Sequence, residues 1–390
     1  MKPRKHQLGE FPIDDFLAGY WQKRPLLIRG AFPGFESPIS PEELTGLALR
    51  DGVASRLILE RGEHPWELRL APHAEGSFES LPESHWTLLV HEVDQLIPEV
   101  RRLLDGFRFL PNWRLDDVMV SYAVPHGNIG AHLDHYDVFL LQGLGRRRWF
   151  IENEPRPTGE ETIPDLDVRI LQTFDPDEDW VLEPGDMLYL PPRIPHLGVA
   201  VDTCLTYSIG FRAPHQKELA AAFAADLAER GDPALRYADP DLTRSGEPGE
   251  IDAGTLARVR VTLDRIDRGD DTLAGWFGRF ATKSKRVRAE PAGEPEWTVE
   301  RLRAAFADPG FRLERATPGR FAHYRHADGR VSVFVGGDGY WLSEEEATFG
   351  PLVTGAGNLD SGTLGEFLRN ERLMEWIVAW IHHGYLFVPE

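Results

Sequence analysis

Short apolar runs broken by Gly and Pro dominate the first half of the chain: RPLLIRG, DVMVSYAVP, YDVFLLQGLG, RRRWFIE, GDMLYLPP and LTYSIGFR. Closely spaced runs of that length, each bounded by turn residues, predict an all-β sandwich or barrel over residues 1–213. PEELTGLAL and HWTLLVHEVDQLIPEVRRLL interrupt them with apolar positions at helical spacing. The pattern changes over residues 214–290. HQKELAAAFAADLAERG and TLARVRVTLDRIDRGDDTLAGWFGRFAT keep the helical period, and the Pro/Gly-rich ADPDLTRSGEPGE between them reads as a loop. A linker, AEPAGEPEW, follows. Beyond it, TVERLRAAFAD and TLGEFLRNERLMEWIVAWIHHG have helical spacing, whereas RFAHYRH, VSVFVGGDGYWLS and YLFVPE look like strands, with GGDG as a tight hairpin turn. Helices plus a small hairpin predict a winged-helix-like module over residues 291–390.

Composition narrows the picture. A chain of 390 residues exceeds one ordinary core, and 42% hydrophobic with 11% aromatic residues is ample material for packed domains. The net charge of -20 repels phosphate backbones, so no direct nucleic-acid binding is expected; a basic protein segment would be attracted instead. The winged-helix-like segment lacks a basic stripe, which favours a structural or protein-binding role over DNA regulation. Cys204 is the single cysteine, so an intramolecular disulfide and a thiolate metal cluster are both excluded. The N-terminal stretch has no apolar h-region, and no run reaches the roughly eighteen apolar residues of a membrane span. No membrane association and a cytoplasmic location are the expectation.

The chemistry concentrates in VSYAVPHGNIGAHLDHYDVFLLQGLGRRRWFI. If His132-Leu133-Asp134 is extended, His132 and Asp134 project to one face, and an imidazole with a carboxylate suits a divalent metal. His-x-Asp is common by chance, so the pair needs a third ligand from a distant strand. EPGDMLYLPPRIPH supplies a turn, a short strand, a PP stop and then His196. His132, Asp134 and His196 would fill one face of an octahedral metal and leave three positions open for a bidentate cosubstrate and dioxygen. Iron(II) fits that demand; zinc in the same site could hydrolyse but not activate dioxygen. His135 should point to the opposite face, His126 belongs to the PHGNIG turn, and His382 and His383 have no carboxylate at ligand spacing.

A 2-oxoglutarate chelating the metal through its keto-acid end needs a buried cation for its far carboxylate. GRRRW offers Arg146, Arg147 and Arg148; strand alternation puts Arg147 on the face of Trp149 and Ile151. Without a dicarboxylate Arg147 has no evident purpose, which counts against a cupin-like binding module or a zinc hydrolase. Ser121, on the strand before the metal turn, is a second candidate contact for that carboxylate, or simply a satisfied strand serine.

These segments carry a resemblance. WQKRPLLIRG, HLDHYDVFLLQGLGRRRW and LEPGDMLYLPPRIPH together resemble the JmjC oxygenases, and more narrowly the bacterial ribosomal oxygenases of the YcfD type. The similarity runs on through LTYSIGFRAP to HHGYLFVPE, covering nearly the whole chain. It implies a mixed α+β protein: a double-stranded β-helix (jelly-roll, cupin-like) core, a helical dimerisation region that would make a homodimer, and a C-terminal winged-helix domain. It also implies hydroxylation of an arginine side chain in a large-subunit ribosomal protein. The family's metal ligands match His132, Asp134 and His196, and its cosubstrate contacts match Ser121 and Arg147. An arginine substrate needs a carboxylate and a stacking face. Strand parity nominates Asp117, sharing a face with Met119 and Ser121, to pair with the guanidinium, and Tyr136 to stack on it, with Ser208 lining the same cavity. The bland alternative makes Tyr136 and Met119 core residues and Asp117 a turn cap. Demethylation of methyl-lysine would use the same iron site, and hydroxylation of a nucleic acid is disfavoured by the acidic charge.

Overall fold

The computed structural model describes residues 8–60, 66–157, 159, 161–243, 249–283, 297–355 and 357–389. The linker AEPAGEPEW, apart from its final Trp297, lies outside the described residues, as does part of the ADPDLTRSGEPGE loop. The chain forms two compact units, Met1–Ala213 with Ala316–Gly319, and Pro214–Arg315 with Arg320–Glu390.

The first unit is built from strands β1 (Leu26–Ile28), β2 (Ser55–Glu60), β3 (Trp66–Leu70), β4 (Trp86–Val90), β5 (Leu115–Ala123), β6 (Val138–Leu144), β7 (Arg147–Ile151), β8 (Glu178–Leu182), β9 (Met187–Leu190), β10 (His196–Ala200) and β11 (Cys204–Phe211). Helices α1 (Ile13–Gly19), α2 (Pro41–Ala48), α3 (Val93–Leu96) and α4 (Pro98–Arg101) are inserted among them. Eight strands make one sheet in the order β1-β9-β6-β11-β5-β4-β2-β3, and three make a second, β10-β7-β8, with every pairing antiparallel.

Side-chain alternation explains why the two sheets stack. Phe139 and Leu141 of β6 face the core shared with Phe16 of α1 and Leu44 of α2, whereas Val138 and Leu140 face Trp149, Ile151 and Leu182 of the smaller sheet. The result is a jelly-roll, and the mouth between the sheets is where the polar residues of β5, β7 and β10 gather. One expectation is overturned here. HWTLLVHEVDQLIPEVRRLL is not a single helix: Trp86–Val90 is a strand buried at every position, followed by two one-turn helices. A continuous apolar run fits a strand covered on both faces as well as it fits a buried helix, so periodicity alone could not separate them. PEELTGLAL does form a helix, α2, closed by a capping box between Ser40 and Glu43.

The second unit begins with α5 (Gln216–Arg230), α6 (Ala253–Asp264) and α7 (Asp270–Thr282), so the apolar run after residue 250 breaks in two at RIDRG. It continues through α8 (Val299–Ala305), β12 (Arg312–Arg315), β13 (Phe321–Arg325), β14 (Val331–Val335), β15 (Asp338–Leu342), α9 (Phe349–Gly355), β16 (Leu359–Asp360), α10 (Ser361–Leu364), α11 (Glu371–His382) and β17 (Leu386–Phe387). β13-β14-β15 form an antiparallel meander, and β16-β12-β17 a second small sheet. The GGDG hairpin is as read: Val335 pairs with Asp338 across Gly336 and Gly337, both at positive φ. TLGEFLRNERLMEWIVAWIHHG is not one helix. A positive φ at Gly365 and the capping Asn370, whose side chain accepts from Leu373 N, split it into α10, a 3-10 turn and α11.

Candidate metal centre and cosubstrate pocket

Among the described residues, His132, Asp134 and His196 form the one trio of metal-ligating side chains, with ligand atoms all within 4.8 Å of one another. Two strand-like segments hold them. His132 and His196 exchange both backbone hydrogen bonds, 3.0 and 2.8 Å, as an isolated antiparallel bridge, and their rings sit 4.3 Å apart. Asp134 follows in a loop fixed by Arg193 N, which donates to its carbonyl at 2.6 Å; its carboxylate lies 3.8 Å from His196 Nε2. The strand alternation expected for HLD is therefore wrong in form: only His132 is bridged, and Asp134 turns inward because the loop does. His135 is displaced with it. It lines the same cavity, at the exposed rim, instead of pointing to an opposite face.

Both rings present Nε2 to the centre. His132 Nδ1 donates to Gly130 O and His196 Nδ1 to Ile194 O, each at 2.9 Å. A carbonyl only accepts, so Nδ1 carries a proton in each ring and Nε2 is the nitrogen turned to the centre. Burial, together with the neighbouring His132, pushes the His196 imidazole down to about 4, so it is neutral at pH 7. Two imidazoles and one carboxylate are the donor set that suits iron(II).

Arg147 enters the same cavity from β7. Its neighbours alternate as expected: Arg147, Trp149 and Ile151 buried, Arg148 exposed. Arg146 and Arg148 are tied at the surface to Asp202 and Asp179. The Arg147 guanidinium donates to Ser121 Oγ at 3.0 Å and Gly198 O at 3.1 Å, lies 5.1 Å from the Trp149 ring, and leaves Nε without a partner. Among the described residues no carboxylate pairs with it, and burial pulls its pKa down. A charge buried without a counter-charge is costly unless a ligand supplies one. A dicarboxylate anchored at the trio meets that need, so the residues present fit both iron(II) and 2-oxoglutarate.

The cavity, of about 490 Å³, is lined by all nine nominated residues: His132, Asp134, His196, Ser121, Arg147, Asp117, Met119, Tyr136 and Ser208. β5 explains the parity: Asp117, Met119 and Ser121 face the cavity, while Val118 and Val120 enter the core behind. Asp117 also accepts from Glu92 N at 3.2 Å, so it steadies the entry to α3 while presenting a carboxylate to the cavity. Tyr136 is 43% exposed, and the Asp134 carboxylate beside it is the largest influence raising its hydroxyl pKa. His126 shapes its turn at φ 65 and does not line the cavity; His382 and His383 close α11 in the other unit.

Sequence reasoning missed three contributors. A Cβ on Gly198 would come within 2.8 Å of Arg147 Nε and 2.7 Å of the Trp149 ring, so only glycine lets the guanidinium lie across β10. Asn128 Oδ1 accepts from Gly130 N at 2.9 Å, and its amide donates to Glu60 Oε2 and His126 O, fixing the carbonyl on which His132 leans. Thr206 lines the cavity beside Ser121 and donates to Gln142 Oε1 at 3.1 Å. The NxG spacing in PHGNIG was the one visible signal for any of these.

Residues 102–219 match the model of the JmjC domain family. The ribosomal protein uL16 3-hydroxylase of Escherichia coli is 36% identical over 293 residues, spanning 74% of this chain and 77% of its own. A probable ribosomal oxygenase of Haemophilus influenzae is 38% identical over 282 residues, 70% of this chain and 69% of its own. The X-ray structure of E. coli YcfD superposes with a TM-score of 0.86 at 31% identity, covering 97% of this chain and 99% of that one. The same relative in complex with cobalt and 2-oxoglutarate gives 0.84 at 31% identity, covering 98% and 99%.

Proposed function

Because the chain belongs to the JmjC-domain ribosomal oxygenases, we propose that it hydroxylates an arginine side chain of a large-subunit ribosomal protein, with uL16 the first candidate. It is a 2-oxoglutarate-dependent oxygenase, with iron(II) as its metal and 2-oxoglutarate and dioxygen as cosubstrates. Bound iron(II) supplies the activation of dioxygen, paid for by decarboxylation of 2-oxoglutarate to succinate and carbon dioxide.

The chain's own residues do the rest. His132, Asp134 and His196 hold the metal, with the Nδ1 bonds to Gly130 and Ile194 keeping both rings aimed. Arg147 and Ser121 bind the far carboxylate and fix the cosubstrate's length along the cavity. The apolar wall of Val138, Leu140 and Trp149 excludes water from the reacting end. Asp117 pairs with the substrate guanidinium, Tyr136 stacks on it from the rim, and Met119 and Ser208 line its path. The observation that carries this reading is the buried Arg147 guanidinium, which has no anion beside it and shares one cavity with the metal-ligating trio and the Asp117 carboxylate.

The helices of residues 214–290 serve dimerisation in this reading. α5 and α6 bury no residue within the chain, and Leu256, Val259, Val261 and Leu263 of α6 are exposed. The C-terminal segment serves as a winged-helix-like structural or protein-binding module. No helix among the described residues is long and apolar enough to cross a membrane, and a ribosomal-protein substrate fits a cytoplasmic enzyme.

Incubation of the iron(II)-loaded protein with 2-oxoglutarate, air and uL16 tests the proposal. The expected product gains the mass of one oxygen atom, localised by fragmentation to an arginine side chain. Oxygen on another residue type would overturn the arginine assignment, and release of formaldehyde would mark demethylation instead.

A further inference from the structure

Arg56 is an unused cation in the same cavity. It sits on β2 opposite Leu89 of β4; Leu89 lies opposite Ser121 of β5, and Ser121 opposite Thr206 of β11. The four share one row across the sheet, and all four line the cavity. Strands lie about 4.8 Å apart, which places the Arg56 backbone roughly 10 Å from that of Ser121. Arg56 therefore enters from the side remote from Arg147.

Among the described residues no hydrogen bond or ion pair reaches the Arg56 guanidinium, and its Nε is buried with no partner. In a cavity that receives a guanidinium, a second cation on the wall repels the substrate by default. It becomes favourable only if the substrate brings an acceptor oxygen for its donor fork. A snorkelling arginine covers Ile58 and Leu89 with its stem and keeps its head in water; in Arg56 the Nε donor of the fork lies on the buried side, where only a ligand in the cavity can meet it.

We propose that Arg56 is a specificity-determining residue that takes an acceptor oxygen of the substrate chain next to the side chain being oxidised. The inference rests on the peptide-hydroxylase reading above. With Asp117 holding the guanidinium and Arg56 an oxygen, two opposite charges fix the direction in which the peptide crosses the cavity. The oxygen comes from a main-chain carbonyl or from an acidic side chain, since both offer the acceptor that the fork needs.

The test compares wild type, Arg56→Met and Arg56→Lys on intact uL16 and on its arginine-containing peptides. One peptide set keeps its acidic residues and one carries the corresponding amides. Thermal unfolding confirms that each variant folds. The expected result is a KM for uL16 raised at least about tenfold in Arg56→Met, with the affinity for 2-oxoglutarate retained. Arg56→Lys, which keeps the charge without the fork, recovers only part of the loss. A loss that persists on the amide peptides assigns a main-chain carbonyl, and one that vanishes there assigns an acidic side chain. An unchanged KM in Arg56→Met, with wild type turning over normally, overturns the inference and leaves the hydroxylase reading standing. Absence of turnover by wild type itself sinks that reading and this inference with it.

Discussion

The Asn128 side chain makes three hydrogen bonds, to Glu60 on β2 and to His126 and Gly130 in its own turn, and only Gly130, whose carbonyl receives the His132 ring, is near the metal trio. Outer contacts of that kind set ring orientation, and their loss costs about 10–100-fold in metal affinity. Asn128→Ala is thus expected to bind iron(II) at least about tenfold more weakly, as read by competition with a chelator, while the fold persists. Unchanged affinity would show that Gly130 and its tight contact with Ile170 hold the turn alone. Individual residues were also where the sequence spoke most clearly. His132, Asp134, His196 and Arg147 each carry a side chain whose chemistry is unusual in its context. Gly198 was silent and Asn128 showed only its NxG spacing, because their contributions are a missing Cβ and an amide in a turn, which become meaningful only once Trp149 and Glu60 are brought beside them.

At the scale of elements, α3 carries a buried acid against β5. Asp94 is fully buried, accepts from Val118 N at 2.9 Å, and leaves Oδ2 without a partner. Burial, with Asp117 adding to it, pushes its carboxyl up to about 7. Between about pH 4 and 7 the unfolded chain has released this proton while the folded chain keeps it, so Asp94 makes stability fall as pH rises through that window. Asp94→Asn keeps the acceptor for Val118 and removes the titration. It should gain stability at pH 8 relative to pH 5, on the order of 2 kcal/mol, in chemical unfolding followed by fluorescence. An unchanged pH profile would mean that Asp94 is not the group responsible. The helices α5 and α6 pose a different question, since they bury no residue and α6 leaves Leu256, Val259, Val261 and Leu263 exposed. Val261→Glu with Leu263→Glu is expected to halve the mass found by sedimentation equilibrium; a wild-type monomer would remove the dimerisation proposal. Element type was legible wherever the period was clean, as in α2, β5, β7 and the β14–β15 hairpin. It failed at Trp86–Val90, where burial on both faces erases the alternation that marks a strand, and at HLD, where a loop, not a strand, aims the ligand.

For the whole molecule, a net charge of -20 acts on encounter more than on fold. A basic ribosomal protein is drawn to such a surface, and salt screens the attraction beyond about 8 Å at physiological strength. The value of kcat/KM for intact uL16 should fall several-fold between low and physiological salt, with kcat nearly constant. A salt-independent kcat/KM would confine recognition to the cavity.

The central claim is that one cavity joins a three-residue metal face to a buried arginine waiting for a carboxylate. Anaerobic calorimetric titration of 2-oxoglutarate into the iron(II)-loaded protein tests it most directly, with Asp134→Ala and Arg147→Met alongside. The account predicts binding to wild type, no binding to Asp134→Ala, and at least about 30-fold weaker binding to Arg147→Met. The Arg147→Met chain should be no less stable than wild type when empty, because a buried unpaired charge has been removed. Undiminished binding in either variant would contradict the assignment of the site.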